Sequence, residues 1–215
     1  MLNKYKSIIW DWNGTLLNDV DTCVQIINSL LQQHNGKPLS KNKYQDTFGF
    51  PIADYYRRIG ISFEKESFEE LTQKFMGEYM RQVKSCALHD RTLPTLTALR
   101  QKAKDQFILT AAHKDNVLDL LDHYGIRHYF KDIEGLDNFR AESKVERGHQ
   151  LLKNNNIDPK KAVLIGDTIH DYHVAMEIGV DCILVADGHQ SLQRLRDKTN
   201  HKTPVISNLD RLIGD

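Results

Sequence analysis

Ser7-Ile8-Ile9-Trp10-Asp11-Trp12-Asn13-Gly14-Thr15 begins as an apolar run and turns abruptly polar on a carboxylate. From Tyr5 to Trp10 it reads as a short, fully buried strand. The same grammar recurs twice downstream. Phe107-Ile108-Leu109 ends in Thr110, and Ala162-Val163-Leu164-Ile165 ends in Gly166-Asp167-Thr168-Ile169-His170-Asp171. Between them stands Lys144, with no other lysine between Lys131 and Lys153. In an open parallel sheet, ligands bind just outside the carboxyl ends of the strands. The strand ends therefore predict one meeting place for Asp11, Thr110 and Asp167, with Lys144 joining them.

Working outward, the period of the apolar residues alternates. Val20, Val24, Ile27 and Leu31 recur at helical spacing, with Asn18 or Asp19 as cap, and Asn35-Gly36-Lys37-Pro38 breaks the pattern. The chain stays helical to about Ser85, with Phe68, Leu71, Phe75 and Tyr79 as one stripe, read as helix core. From Leu93 strand and helix alternate again. Helical patterns carry Leu96 and Leu99, then Val117, Leu121 and Tyr124 up to Gly125, then Leu151 and Leu152, then Ala175 and Ile178 up to Gly179. Strands fall at Phe107–Thr110, around Ile133, at Ala162–Ile165 and at Cys182–Val185. Such alternation predicts an α/β fold with a parallel sheet and right-handed crossovers. Residues 17–87 interrupt it without adding strands, which makes them a helical insertion into a core of residues 1–16 and 88–215.

With 29 basic and 29 acidic residues the formal net charge is +0. No global field draws the chain to nucleic acid or to an acidic membrane. There is no apolar signal region and no stretch of membrane-spanning length. Cys23, Cys86 and Cys182 are widely spaced and odd in number, neither a disulfide framework nor a zinc set. The expectation is a protein of the reducing cytoplasm, monomer or homodimer, with a small-molecule substrate and no nucleic-acid or membrane partner.

Carboxylates, a hydroxyl and an ammonium at one place suit a metal and a phosphate. Cleaving a phosphate monoester needs an in-line nucleophile, cations on the phosphoryl oxygens and an acid for the leaving oxygen. Asp11 can be the nucleophile. A carboxylate facing a dianion needs a hard cation between them, and Asp11 with Asp167 supplies ligands for Mg²⁺. Thr110 and the neighbouring amide of Ala111 can hold phosphate oxygens at a helix N-terminus. Lys144 adds fixed positive charge, and Asp171, one turn beyond Asp167, can orient Lys144 or a metal-bound water.

With these four motifs in this order, the chain resembles the haloacid dehalogenase superfamily of phosphohydrolases. The family pattern is Asp-x-Asp-Gly-Thr, a Thr or Ser, a basic residue, and Gly-Asp-x-x-x-Asp. Gly179, the run into Gly135-Leu136-Asp137, and a helical block at Leu17–Ser85 are similar to its phosphoglycolate-phosphatase-like branch. Phe48-Gly49-Phe50-Pro51 is similar to that branch's substrate-specificity loop. The resemblance implies a Rossmann-like three-layer core with an inserted all-helical cap of the C1 type, Mg²⁺ as cofactor, and a small phosphorylated metabolite as substrate.

Asn13 departs from the pattern. The family's phosphatases usually carry Asp there, to protonate the leaving oxygen and then activate water; Asn can do neither, though its backbone carbonyl can still bind Mg²⁺. General acid–base groups are worth about 10²- to 10⁴-fold, so slow turnover is expected. One alternative is a phosphate-binding or regulatory protein of the same fold. Another is carbon–phosphorus cleavage as in phosphonoacetaldehyde hydrolases, whose motif Asp-Trp-x-Gly-Thr resembles; those enzymes need a cap lysine, and Phe48–Ile61 contains none. His113 can reach the site entrance and assist a leaving group. The resemblance places Phe50 in the specificity loop, and Arg57 and Arg58 beyond it can grip a substrate carboxylate or a second phosphate. His170 and His173 are read as solvated helix positions, because carboxylates and carbonyls suit Mg²⁺ better.

Overall fold

The computed structural model describes residues 1–136, 144–199, 201 and 203–213. Its strands are β1 (Ser7–Trp10), β2 (Leu17–Asn18), β3 (Ala87–Leu88), β4 (Asp105–His113), β5 (Asp132–Leu136), β6 (Ala162–Gly166), β7 (Asp181–Val185) and β8 (Val205–Ile206). Six of them form one sheet in the order β5-β4-β1-β6-β7-β8, with every pairing parallel. The first strand lies inside the sheet, flanked by β4 and β6, which is why its residues are apolar on both faces. Trp10 is level with Ile108 on one side and Ile165 on the other. This register brings the polar residues after all three strands out at one edge.

The pleat sends alternate residues to opposite faces. Ile8 and Trp10 pack with Val163, Ile165 and, from α5 (Thr92–Gln101) and α6 (Lys114–His123), Leu96 and Leu121. Ile9 packs on the other side with Leu164 and, from α7 (Lys144–Asn154), α8 (Ile169–Ile178) and α9 (Leu192–Lys198), Leu151, Val174 and Leu195. The core is thus three layers, helix–sheet–helix, in a Rossmann-like α/β arrangement. A last short helix, α10 (Asp210–Ile213), adds Leu212 to the first face.

Between β2 and β3 lie α1 (Val20–Gln33), α2 (Lys41–Thr47), α3 (Ile52–Arg58) and α4 (Phe68–Gln82). The last of these starts with a capping box, Ser67 against Glu70. The buried face of α1 runs through Val20, Cys23, Ile27 and Leu31, with Cys23 rather than Val24 at the second position. These helices join the first apolar cluster, so they are continuous with one face of the sheet.

Three sequence expectations need correction. The helical segment does add strands: Leu17 pairs with Leu88 and Asn18 with Ala87 as an antiparallel ribbon at its two ends, too short to leave a periodic signal. The strand read as Phe107–Thr110 runs on to His113, with its register to β5 shifting between Leu109 and His113. The amide-rich helix start is accordingly at Lys114, beyond Thr110 rather than beside it. Asp137 of the Gly135-Leu136-Asp137 run lies outside the described residues.

Candidate active site

The sheet edge delivers what the strand ends predict. The Asp11 amide donates to Ile165 O at 2.8 Å, tying the residue after β1 to the end of β6. The Lys144 ammonium, at the first position of α7, donates to Asp11 Oδ1 and Asp171 Oδ1, both at 2.6 Å. Lys144 is buried, not a solvated helix start. Asp171 is fixed from behind: its Oδ2 accepts from the Thr168 amide and hydroxyl at 3.0 and 2.7 Å, in a reciprocal cap at the start of α8.

Asp167 is held differently. Its Oδ1 accepts from the Thr15 hydroxyl at 3.0 Å and its Oδ2 from the His189 amide at 2.6 Å. The chain approaches this carboxylate so closely that a Cβ on Gly14 or Gly188 would collide with it, and Gly14 also has φ +71°. Carboxylate oxygens of Asp11, Asp167 and Asp171 lie within 4.8 Å of one another, all buried. Burial, with Asp171 and Asp167 nearby, pushes the Asp11 carboxyl up despite Lys144. Burial pushes Asp167 up as well, against the pull of His189, while Lys144 and Thr168 hold Asp171 down in spite of its burial. The site therefore has more negative charge than its own cations offset.

A second buried cluster adjoins the first and was not legible as a site in the sequence. Asp19 stands at the N-cap position of α1 but makes no side-chain cap bond. Its carboxylate turns inward. Oδ1 accepts from the Gly14 amide at 2.9 Å and lies 3.2 Å from His189 Nε2. Oδ2 accepts from Asn13 Nδ2 at 2.8 Å and from the Tyr79 hydroxyl at 2.7 Å. His189 Nδ1 is 2.9 Å from the Tyr44 hydroxyl. Burial disfavours charge on His189, but Asp19 and the site carboxylates more than offset that and raise it to about 9. Burial likewise opposes charge on Asp19, and His189, Tyr79 and Asn13 outweigh it, holding Asp19 low. With Cys23, Asp19 and His189 form a second close group of potential ligand atoms. Its oxygens are already used by protein donors, which makes it a hydrogen-bonded cluster rather than a metal site.

For His189 alone the sequence carries a signal. Asp187-Gly188-His189-Gln190 follows the apolar run that ends at Val185, the same strand-end grammar as at Asp11. That loop also ties the helical segment to the core. Gln45 donates to Gly188 O at 2.7 Å, and Gln190 donates to Phe48 O at 2.9 Å.

Both clusters open on one cavity of about 600 Å³, which Thr110, Ala111, His113, Phe50 and His170 also line. The Thr110 hydroxyl accepts from the Ala112 amide at 3.1 Å. Phe50 packs against His170 with ring centroids 4.6 Å apart, so His170 is half-buried at the cavity rather than solvated, whereas His173 is exposed. Phe75 and Tyr79, read as helix core, line the cavity too. Arg57 and Arg58 are not brought to it: Arg57 pairs with Asp54 and lies over Phe63, and Arg58 donates to Thr47 O.

The family model described as haloacid dehalogenase-like hydrolase matches residues 8–185, which span all four motifs and the whole helical segment. The chain belongs to the haloacid dehalogenase-like hydrolase family. It is accordingly an enzyme of the hydrolase class, with phosphatases among its relatives. It is 23% identical over 195 residues to the phosphoglycolate phosphatase of Synechococcus elongatus, covering 88% of each chain. It is 26% identical over 204 residues to the tyrosine-protein kinase PtkA of Mycobacterium tuberculosis, covering 93% of this chain and 67% of that one. A haloacid dehalogenase-like hydrolase from Streptococcus pneumoniae superposes with a TM-score of 0.81 at 20% identity, covering 98% of this chain and 97% of the other. No helix among the described residues is long and apolar enough to cross a membrane.

Proposed function

We propose that this protein is a Mg²⁺-dependent phosphatase of small phosphorylated compounds, working through a phosphoryl group carried on Asp11. One observation carries the reading: three buried carboxylates have oxygens within 4.8 Å of one another at the carboxyl edge of a parallel sheet, and Lys144 bonds only two of them, Asp11 and Asp171. Such a set is incomplete without added positive charge. An all-oxygen donor set suits a hard cation. Asp11, Asp167 and the Asn13 carbonyl would hold Mg²⁺, which when bound neutralises phosphoryl oxygens.

In the first step an Asp11 oxygen attacks phosphorus, the bond from phosphorus to the ester oxygen breaks, and that oxygen leaves with the electron pair and takes a proton. In the second, water attacks phosphorus, the bond to the Asp11 oxygen breaks, and carboxylate and inorganic phosphate result. Lys144 holds Asp11 in place and balances its charge. Thr110 and the Ala111 amide face the phosphate, and Asp171 positions Lys144. Asn13 cannot move either proton, and its amide is committed to Asp19. His113, on the cavity wall, is the candidate that serves the leaving oxygen. Residues 17–87 act as a cap hinged at the β2–β3 ribbon and close the site against water. Cytoplasmic conditions suit the three buried, unpaired cysteines.

Asn13 also favours a second reading. If water attacks slowly, an acceptor hydroxyl can take the Asp11 phosphoryl instead, which fits a relative named a tyrosine kinase. Both readings are tested with an aryl phosphate and Mg²⁺. Phenol release should show a burst followed by slow turnover, with phosphate appearing only at the slow rate and both lost in Asp11→Asn or in EDTA. Added phenols that accelerate consumption of the ester without raising phosphate release would select the transfer reading. Equal rates in Asp11→Asn would overturn both.

A further inference from the structure

The cavity has two ends of opposite character. One is the carboxylate–lysine centre; the other, beneath the helical segment, is lined by Ile27, Phe48, Phe50, Tyr55, Phe75 and Met76. Its volume of about 600 Å³ falls within the roughly 300–1,000 Å³ of sites for drug-sized ligands, far more than a two-carbon acid fills. The aromatic wall is ordered ring against ring. Phe48 meets Phe50 and Tyr55 edge-on, with centroids 5.8 and 5.3 Å apart and interplanar angles of 71° and 74°. Phe48 also stacks on Tyr44 at 5.1 Å.

Cations for a second negative group are scarce there. Among the described residues no arginine lines the cavity, and its one lysine is Lys144, already bonded to two carboxylates. His189 is committed to Asp19 and Tyr44. Arg57 and Arg58, which would have gripped a carboxylate, lie outside the lining. A carboxylate carried into this end loses its hydration and meets no free lysine or arginine among the described residues, only neutral donors such as the Tyr55 hydroxyl, whereas a ring gains by burial and by edge contacts.

We infer that the organic part of the substrate is bulky, apolar and uncharged, best an aryl group, seated between Phe48, Phe50 and Phe75, and that small carboxylated phosphates are disfavoured. The inference rests on the phosphatase reading for the phosphoryl end only. Binding, measured without turnover, tests it separately. With Mg²⁺ present, calorimetry should find benzylphosphonate bound at least about tenfold more tightly than phosphonoacetate, since added apolar contact in a pocket discriminates about 10- to 200-fold. Phenyl phosphate should likewise exceed 4-carboxyphenyl phosphate in kcat/KM by about tenfold. Phe50 is 43% exposed, so Phe50→Ala spares the fold and should lower both ratios several-fold. Met76→Arg, which adds the missing cation, should shift them towards the carboxylated partner.

Tighter binding of phosphonoacetate, or ratios unmoved by both variants, would overturn the inference. The expected binding order without any hydrolysis would instead overturn the phosphatase reading and leave the ligand class standing.

Discussion

Two buried carboxylate clusters lie side by side in this molecule, and they are finished to different degrees. Around Asp19 every demand is met from within the protein: the Gly14 amide, Asn13, Tyr79 and His189 all reach its two oxygens. Around Asp11 three carboxylates crowd together, and Lys144 bonds two of them, Asp11 and Asp171. The first cluster is built like a fastening between the strand end, the helical segment and the loop after β7. The second is built like a receptacle for the proposed Mg²⁺, because Lys144 bonds only two of its three carboxylates. Asn13 stands beside both, lining the cavity and donating its side-chain amide to Asp19.

The largest effect should come from taking away the one ammonium. Lys144→Met leaves Asp11 and Asp171 buried without their counter-charge, and breaking a buried pair in this way costs about 3–5 kcal/mol. Urea unfolding in EDTA should show that loss, with Mg²⁺ restoring part of it. A loss below about 1 kcal/mol would mean that protonation of Asp11, already pushed up by burial, neutralises the site by itself.

Mg²⁺ should distinguish the clusters next. A ligand that binds only the folded state at a hundred times its Kd stabilises by about 2.7 kcal/mol. The native chain should gain about that much, Asp167→Ala much less. His189→Gln, which alters only the fastening's side chain, should keep most of the gain. Equal stabilisation of native chain and Asp167→Ala would remove Asp167 from the metal set.

Asn13→Asp sharpens the comparison further. In isolation the change restores the family's usual acid–base residue and should speed turnover. In this structure it replaces an amide donating to Asp19 at 2.8 Å by a second carboxylate. Losing a donor to a buried charged group costs about 1–3 kcal/mol, and like charges add to it. The single variant should therefore be less stable. The double variant Asn13→Asp with Asp19→Asn should recover stability, with a coupling of at least about 1 kcal/mol. Additive losses would mean that the Asn13–Asp19 contact carries no energy, and the rate of the single variant could then be read directly.

These two clusters also mark the limit of what sequence makes legible. Asp11 and Asp167 follow strands, Lys144 and Asp171 lie in the first turns of helices, and Thr110 sits near the carboxyl end of β4, where short-range pattern and parallel-sheet geometry together place them. The helix–sheet–helix core follows from the same alternation. The partners of Asp19 come from three separate segments, at residues 13–14, 79 and 189, with Tyr44 joining through His189, and only tertiary packing brings them together. Helical spacing offers Asn18 or Asp19 as a cap and reads Tyr79 as core, because spacing reports which face a residue occupies and not what meets that face. Arg57 and Arg58 failed for the same reason: their nearness in sequence to Phe50 says nothing about direction, and α3 turns them to solvent, Asp54 and Phe63.

The smallest effect, spread across pH, separates the fastening from the receptacle without changing the metal ligands. His189 has its folded pKa raised above the ordinary 6.5 to about 9, with Asp19 the main favourable partner acting against burial. A raised pKa contributes stability that is complete below the unfolded value and is lost as pH rises through the folded one. Asp19 is depressed, so its share is present above the unfolded carboxylate range and is lost as pH falls through its folded value. The pair should therefore stabilise most between the carboxylate range and about pH 6.5, then decline towards pH 9. Melting temperatures measured in Mg²⁺ from pH 6 to 10 should fall across that window in the native chain and run flatter in His189→Gln. Parallel profiles would mean that His189 is neutral throughout, with Asp19 held by Asn13, Tyr79 and the Gly14 amide alone.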